Sequence, residues 1–254
     1  MSDAAPLSRP ILAGVVTALV GFTSSFAVVL TGLDAVGANA AQAASGLLAV
    51  SLTMGLACVV LAWRYRMPIT VAWSTPGAAL LVATGTVEGG WPAAVGAFLV
   101  TAALILLTAL WPALGALIAR IPPSIAQAML AGVLLPLCLA PITGIVANPW
   151  GVIPVVLTWL VFARLAPRWA VPLAFVAATA VVAVSLIGAG APFDPTVLLP
   201  RLEFTAPTFT VGALVGLALP LFIVTMASQN VPGIAIMRSF GYEVPWRPAM
   251  LVTG

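Results

Sequence analysis

Long apolar runs alternate with short segments that carry most of the charged residues of this 254-residue sequence. A helix that spans a bilayer needs about 20 apolar residues. Seven or eight runs meet or approach this length, and the sixth is the shortest. They cover residues 11–31, 40–63, 69–87, 91–118, 125–146, 151–162, 170–187 and 209–237. The pattern predicts an all-α integral membrane protein with many spans.

The composition excludes a water-soluble surface. Apolar residues make up 63% of the chain and charged residues 6%, whereas roughly a quarter of the residues of a soluble domain are charged. The nine basic and six acidic residues give an isoelectric point near 9.5. Because the arginines are scattered singly, they indicate membrane topology rather than a nucleic-acid partner.

The positions of the arginines predict the orientation of the chain. Cytoplasmic loops of membrane proteins collect basic residues. With the N-terminus in the cytoplasm, the inner loops hold Arg9, Arg64, Arg66, Arg120, Arg164, Arg168, Arg238 and Arg247. Only Arg201 falls outside. The short sixth run must therefore cross as well, since Arg164 and Arg168 would otherwise be external.

Nothing in the sequence indicates catalysis. The chain has no His and no pairing of a nucleophile with a base, so no catalytic residue, metal ligand or cofactor is predicted. Cys58 and Cys138 each lie in the middle of an apolar run, and both are interpreted as packing residues. We expect no cleavable signal peptide, because Arg9 is followed directly by a run long enough to span.

The third span is predicted to be discontinuous. Residues 69–73 are mainly β-branched or aromatic, which favours extended backbone, while Ser74 or Thr75 before Pro76 is typical of a helix start. A helix that begins there directs free N–H groups toward the membrane centre, where an anion or polar ligand could bind. The alternative is a proline kink in a continuous helix.

The eighth span carries Ser228, Gln229 and Asn230, followed by a break at Pro232 and Gly233. Adjacent polar side chains are costly in hydrocarbon, so they must face a cavity or a partner helix. A polar ligand explains them. Hydrogen bonds between helices are the alternative.

The first span places Thr23, Ser24 and Ser25 between two phenylalanines. Phe22 and Phe26 are four residues apart and share a helix face, so an aromatic ligand could stack there. Packing, with hydroxyl groups bonded back to the helix, is the alternative.

Two motifs resemble the BenE family of benzoate/proton symporters. One runs over residues 66–77, and the other over residues 228–233 with Phe240, Gly241 and Tyr242 after it. The resemblance covers the whole chain. It implies the uracil-permease-like fold, a transporter bundle of fourteen spans in two inverted repeats of seven, whose third and tenth spans are half strand and half helix.

The resemblance also implies a division of the chain. Residues 11–190 would form the first repeat and residues 207–238 the eighth span, with the start of the ninth after it. The remainder of the second repeat would be absent. Because the sequence stops within a new apolar run at residues 248–252, we expect a truncated chain.

The function that the resemblance implies is import of benzoate or a similar aromatic carboxylate across the bacterial inner membrane, with protons, by alternating access. In the hypothesis, Gln229 and Asn230 donate to a carboxylate at the half-helix, and an aromatic ring lies near the phenylalanines and Trp73. The site residues are Ser74, Thr75, Gly77, Ser228, Gln229, Asn230, Phe22, Phe26 and Trp73. Nucleobase-transporting relatives of this fold carry a carboxylate in the eighth span, whereas this chain is neutral there.

The sequence leaves the proton-coupling group, the oligomeric state and the alternative functions open. No Asp, Glu, His or Lys lies within a predicted span, and Asp34 and Glu88 lie at the outer edge, so the proton-coupling group is not identified. Assembly as a homodimer is also open. The alternatives are transport of a nucleobase, sulfate or dicarboxylate on the same fold, a membrane-embedded enzyme, and a structural membrane subunit.

Overall fold

The computed structural model describes residues 8–119, 123–190 and 201–254, which are mostly helical and contain no strand. The helices are α1 Ser8–Ala35, α2 Ala40–Tyr65, α3 Thr75–Thr84, α4 Gly90–Leu110, α5 Pro112–Ala119, α6 Pro123–Ala147, α7 Pro149–Leu165, α8 Ala170–Gly188, α9 Val211–Ser239 and α10 Trp246–Thr253. A short 3₁₀ turn, Pro167–Trp169, joins α7 to α8. Arg120, which was assigned to an inner loop, lies outside the described residues.

Five helices within the described ranges are long and apolar enough to cross a membrane, as judged by length and composition. Their outward faces carry large apolar side chains, such as Leu56, Val59 and Trp63, which are 65%, 66% and 84% exposed. A water-facing surface would not hold so many of these residues. The prediction of an all-α, multi-span membrane protein is confirmed.

The chain forms two compact units, which are described separately. The first comprises Met1–Ala27 with Leu137–Leu198, and the second Val28–Pro136 with Leu199–Gly254. In the first unit, α7 packs along α8. In the second unit, α4, α9 and α10 enclose an apolar core. Its buried members are Ile105, Ala109, Phe222, Met226, Ala249 and Met250.

The predicted fourth span, residues 91–118, is two helices rather than one. Helix α4 ends at Leu110, and Trp111 adopts extended backbone before Pro112, which lacks the N–H that helix continuation requires. Two carbonyl groups near the end of α4 find partners on α10. Trp246 Nε1 donates to Thr108 O at 3.2 Å, and Arg247 Nε donates to Ala109 O at 3.1 Å.

The predicted break at Pro232 in the eighth span is wrong, because α9 continues through it. Two π-helical segments, Leu214–Ala218 and Met226–Asn230, widen the helix. Each ends two residues before a proline. Leu219 N–H donates to Leu214 O and precedes Pro220, and Val231 N–H donates to Met226 O and precedes Pro232. The wider turn accommodates a residue that cannot donate and whose ring crowds the preceding turn.

Candidate functional site

A cavity of about 780 Å³ lies within the second unit. The extended residues 69–74 form one wall, and parts of α2, α9 and α10 form the others. Gln229 and Asn230 contribute amide groups, and the remaining lining is largely apolar. None of the described residues that line the cavity is charged, so its surface offers amides, hydroxyls and hydrocarbon.

Helix α3 begins where the sequence predicts. Ser74 has extended backbone and is the N-cap: its Oγ accepts from Gly77 N–H at 3.0 Å, and its carbonyl accepts from Ala78 N–H at 2.8 Å. Pro76 occupies the first turn, where a missing N–H costs nothing. The prediction of a discontinuous third span is confirmed, although residues 68–74 form neither helix nor strand.

Gln229 supplies hydrogen bonds to the extended residues. Its Nε2 donates to Ala72 O at 2.9 Å and to Trp73 O at 2.8 Å. An amide nitrogen carries two hydrogens, so both are engaged by these carbonyl groups. The side chain thus crosses from α9 to backbone that lies 156 and 157 residues earlier in the sequence.

Cys58 on α2 contacts the same extended backbone. Val71 N–H donates to Cys58 Sγ at 3.0 Å, and Sγ donates to Val71 O at 3.2 Å. The interpretation of Cys58 as a packing residue is therefore incomplete. A cysteine in an apolar run looks the same in sequence whether its thiol is bonded or not, so no signal marked this role.

Asn230 lies beside two thioether groups. Its Nδ2 is 3.3 Å from Met226 Sδ and 3.6 Å from Met250 Sδ. Thioether sulfur is a weak acceptor. Asn230 therefore presents a donor at the cavity that is only weakly engaged, in contrast to Gln229.

The other predicted site residues have different surroundings. Trp73 lines the cavity and is 9% exposed. Thr75 and Gly77 lie in the first turn of α3 and are not among the residues that line the cavity. Ser228 also lies outside the lining, and its hydroxyl group donates to Val224 O within α9.

Phe22 and Phe26 belong to the first unit and do not line this cavity. Their rings stack at 5.4 Å between centroids, and Phe26 also meets the edge of Phe175. The hydroxyl groups of Thr23 and Ser24 donate to carbonyl groups of the preceding turn. These contacts match the packing alternative, and a role in substrate binding stays a prediction.

Comparison with known proteins places these features in a family. Residues 5–254 match the family model BenE, described as benzoate membrane transport protein. The chain is 38% identical over 246 residues to the inner membrane protein YdcO of Escherichia coli (strain K12), covering 96% of this chain and 62% of that protein. No solved structure matches the chain significantly.

A second relative is the benzoate membrane transport protein of Acinetobacter baylyi, 27% identical over 237 residues, which covers 93% of this chain and 59% of that protein. The chain thus spans about three fifths of the length of these relatives. The family consists of membrane transport proteins rather than enzymes. From the match along almost its whole length, we conclude that this chain belongs to the BenE benzoate membrane transport protein family.

Proposed function

We propose that this protein imports benzoate or a similar aromatic carboxylate across the bacterial inner membrane, together with protons, by alternating access. The observation that carries the proposal is the uncharged cavity between the extended residues 69–74 and α9. Its volume of about 780 Å³ lies in the range of about 300–1,000 Å³ that is usual for small-molecule sites. Family membership supports the substrate class.

The lining suits a molecule with an anionic end and an apolar body. Asn230 can exchange its thioether contacts for a carboxylate, because a hydrogen bond to a charged acceptor is roughly twice as strong as a neutral one. A side-chain carboxylate at this point would repel the substrate, and none of the described lining residues carries one. Trp73 offers an aromatic surface to the ring.

Asn230 is the amide donor to the substrate in this proposal, and Gln229 has another role. Both hydrogens of Gln229 Nε2 already meet backbone carbonyl groups. Transferring them to a substrate would leave the carbonyl groups of Ala72 and Trp73 unpaired, which is costly in a bilayer. Ser74 lines the same cavity and marks the N-terminal end of α3, whose dipole favours an anion.

The inverted-repeat architecture belongs to the same proposal. A short helix preceded by extended backbone, with polar groups of α9 beside it, is what one half of such a transporter would contribute to a central site. The division into a first repeat over residues 11–190 and an eighth span over residues 207–238, and the cytoplasmic N-terminus, are proposed on the same basis.

Uptake of radiolabelled benzoate into proteoliposomes that contain the protein tests the substrate. We expect saturable uptake that unlabelled benzoate inhibits and that uracil, sulfate and succinate do not. Asn230→Ala should raise KM more than Asn230→Gln. Inhibition by uracil, sulfate or succinate instead of benzoate would assign the site to another solute.

An imposed pH gradient tests the coupling to protons. With the outside acidic, uptake should exceed uptake at equal pH, and a protonophore should abolish the difference. Because undissociated benzoic acid crosses lipid by itself, protein-free liposomes are the control. Protein-dependent uptake that is indifferent to the gradient would contradict symport.

A further inference from the structure

The extended residues before α3 have no strand beside them within the described residues. No strand occurs in the part of the chain that the structure describes. In a bilayer, an unpaired backbone N–H or C=O is unfavourable, because no water replaces the missing partner. In this structure, side chains of α2 and α9 supply hydrogen bonds to this extended backbone.

Cys58 satisfies both polar backbone groups of one residue. Its sulfur accepts from Val71 N–H at 3.0 Å and donates to Val71 O at 3.2 Å. In a β-ladder, one residue of the neighbouring strand exchanges these same two bonds. A thiol has one donor and one acceptor, so a single side chain reproduces that pairing.

The opposite end of the segment is held from α9. Gln229 bonds the carbonyl groups of Ala72 and Trp73, and Ser74 then caps α3. Three consecutive residues are thus fixed by side chains from two helices, immediately before Ser74, the N-cap of α3. Because Val71 itself lines the cavity, its movement would displace the cavity wall.

We propose that Cys58 is a positioning residue for the substrate site, which holds Val71 as a strand neighbour would and so fixes the wall formed by residues 71–74. The proposal rests on the proposed function, because it assigns that wall to substrate binding. The hydrogen bonds between Cys58 and Val71 can also be tested by measuring amide exchange without substrate.

The test compares Cys58→Ser, which keeps a donor and an acceptor, with Cys58→Ala and Cys58→Val, which remove both. Cys138 is exposed on α6, so Cys138→Ala is the matched control. We expect Cys58→Ala to raise KM for benzoate about threefold to tenfold, as loss of neutral hydrogen bonds predicts. Cys58→Ser should stay within about twofold of the wild type on the same basis.

Hydrogen–deuterium exchange of peptides that contain Val71 provides the second readout. Exchange should be about tenfold faster in Cys58→Ala than in the wild type, consistent with loss of the bond that protects the amide. Cys58→Ser and Cys138→Ala should retain slow exchange. Thermal unfolding in detergent establishes that each variant is folded before either comparison is made.

A packing role gives the opposite order, because Ala and Val are apolar and Ser adds a polar group to an apolar site. Transport and exchange that are normal in Cys58→Ala but impaired in Cys58→Ser would overturn the proposal. If the wild type did not transport benzoate, the proposed function would fail, while the exchange measurement would still decide whether Cys58 holds Val71.

Discussion

Pro76 and Pro232 stand in similar sequence surroundings, yet the backbone around them differs. Each follows polar residues in an apolar run, and both were predicted to mark a break. At Pro76 the break exists, since α3 begins at Thr75 after extended backbone. At Pro232 the helix continues, because a π-helical segment before it accommodates the proline.

The difference lies in what precedes each proline. Before Pro76, the β-branched and aromatic residues 69–73 favour extended backbone, and Ser74 caps the new helix. Before Pro232, the preceding residues of α9 are helical, and a π-helical turn accommodates the proline within the helix. A proline therefore indicates a local departure from the α-helix, and the residues before it decide which departure occurs.

Gly77→Ala should have the largest effect on the third span. A Cβ atom at Gly77 would lie 2.9 Å from Leu221 Cδ1 and 2.9 Å from Ser74 Oγ, so α3 could not keep both its cap and its distance from α9. We expect a loss of about 1–3 kcal/mol in thermal unfolding experiments. Gly216→Ala in α9 is the control, because nothing lies within 4 Å of its Cβ position.

Pro232→Ala should affect transport through Gln229. Restoring the missing N–H favours a regular α-helical turn, and removal of the π turn rotates Gln229 away from Ala72 and Trp73. Loss of these bonds should reduce uptake about tenfold. Pro220→Ala alters the other π segment, which carries no polar side chain, and should leave uptake nearly unchanged. Equal effects of the two substitutions would refute this account.

Ser74→Ala removes the cap from the Gly77 N–H and should destabilise the protein by about 1 kcal/mol. Ser74→Asp retains a capping oxygen, so thermal stability should recover. Its negative charge at the cavity should nonetheless abolish benzoate uptake. If uptake recovered together with stability in Ser74→Asp, the substrate carboxylate would not bind near this residue.

Pro76→Ala should have the smallest effect. The residue lies in the first turn of α3, where its N–H would have no helical partner. We expect a change in stability within about 0.5 kcal/mol and uptake close to that of the wild type. A loss comparable to that of Pro232→Ala would show that the two prolines act alike.

Local residue patterns were sufficient to predict the helices and the start of α3. Runs of apolar residues identify spans by length, and Ser74 with Pro76 identifies a cap and a first turn. The division between α4 and α5 was missed because Trp111 and Pro112 lie within an unbroken apolar run. The π segments were missed because a proline alone does not distinguish a wide turn from a break.

The polar contacts of the site were less predictable. Gln229 and Asn230 were assigned to the cavity, and both line it. Their partners could not be derived, because the carbonyl groups of Ala72 and Trp73 are distant in sequence and carry no residue-specific signal. The two hydrogen bonds between the Cys58 thiol and the backbone of Val71 could not be predicted either, because backbone groups carry no residue-specific signal.

The hydrogen bonds of Gln229 have a consequence for biosynthesis. Cys58 precedes Val71 by 13 residues and is ready when that segment leaves the ribosome, whereas Gln229 follows Trp73 by 156 residues. At about 5–20 residues per second, this interval is on the order of ten seconds. The two carbonyl groups of the third segment therefore gain their Gln229 partner only after α9 has been synthesised.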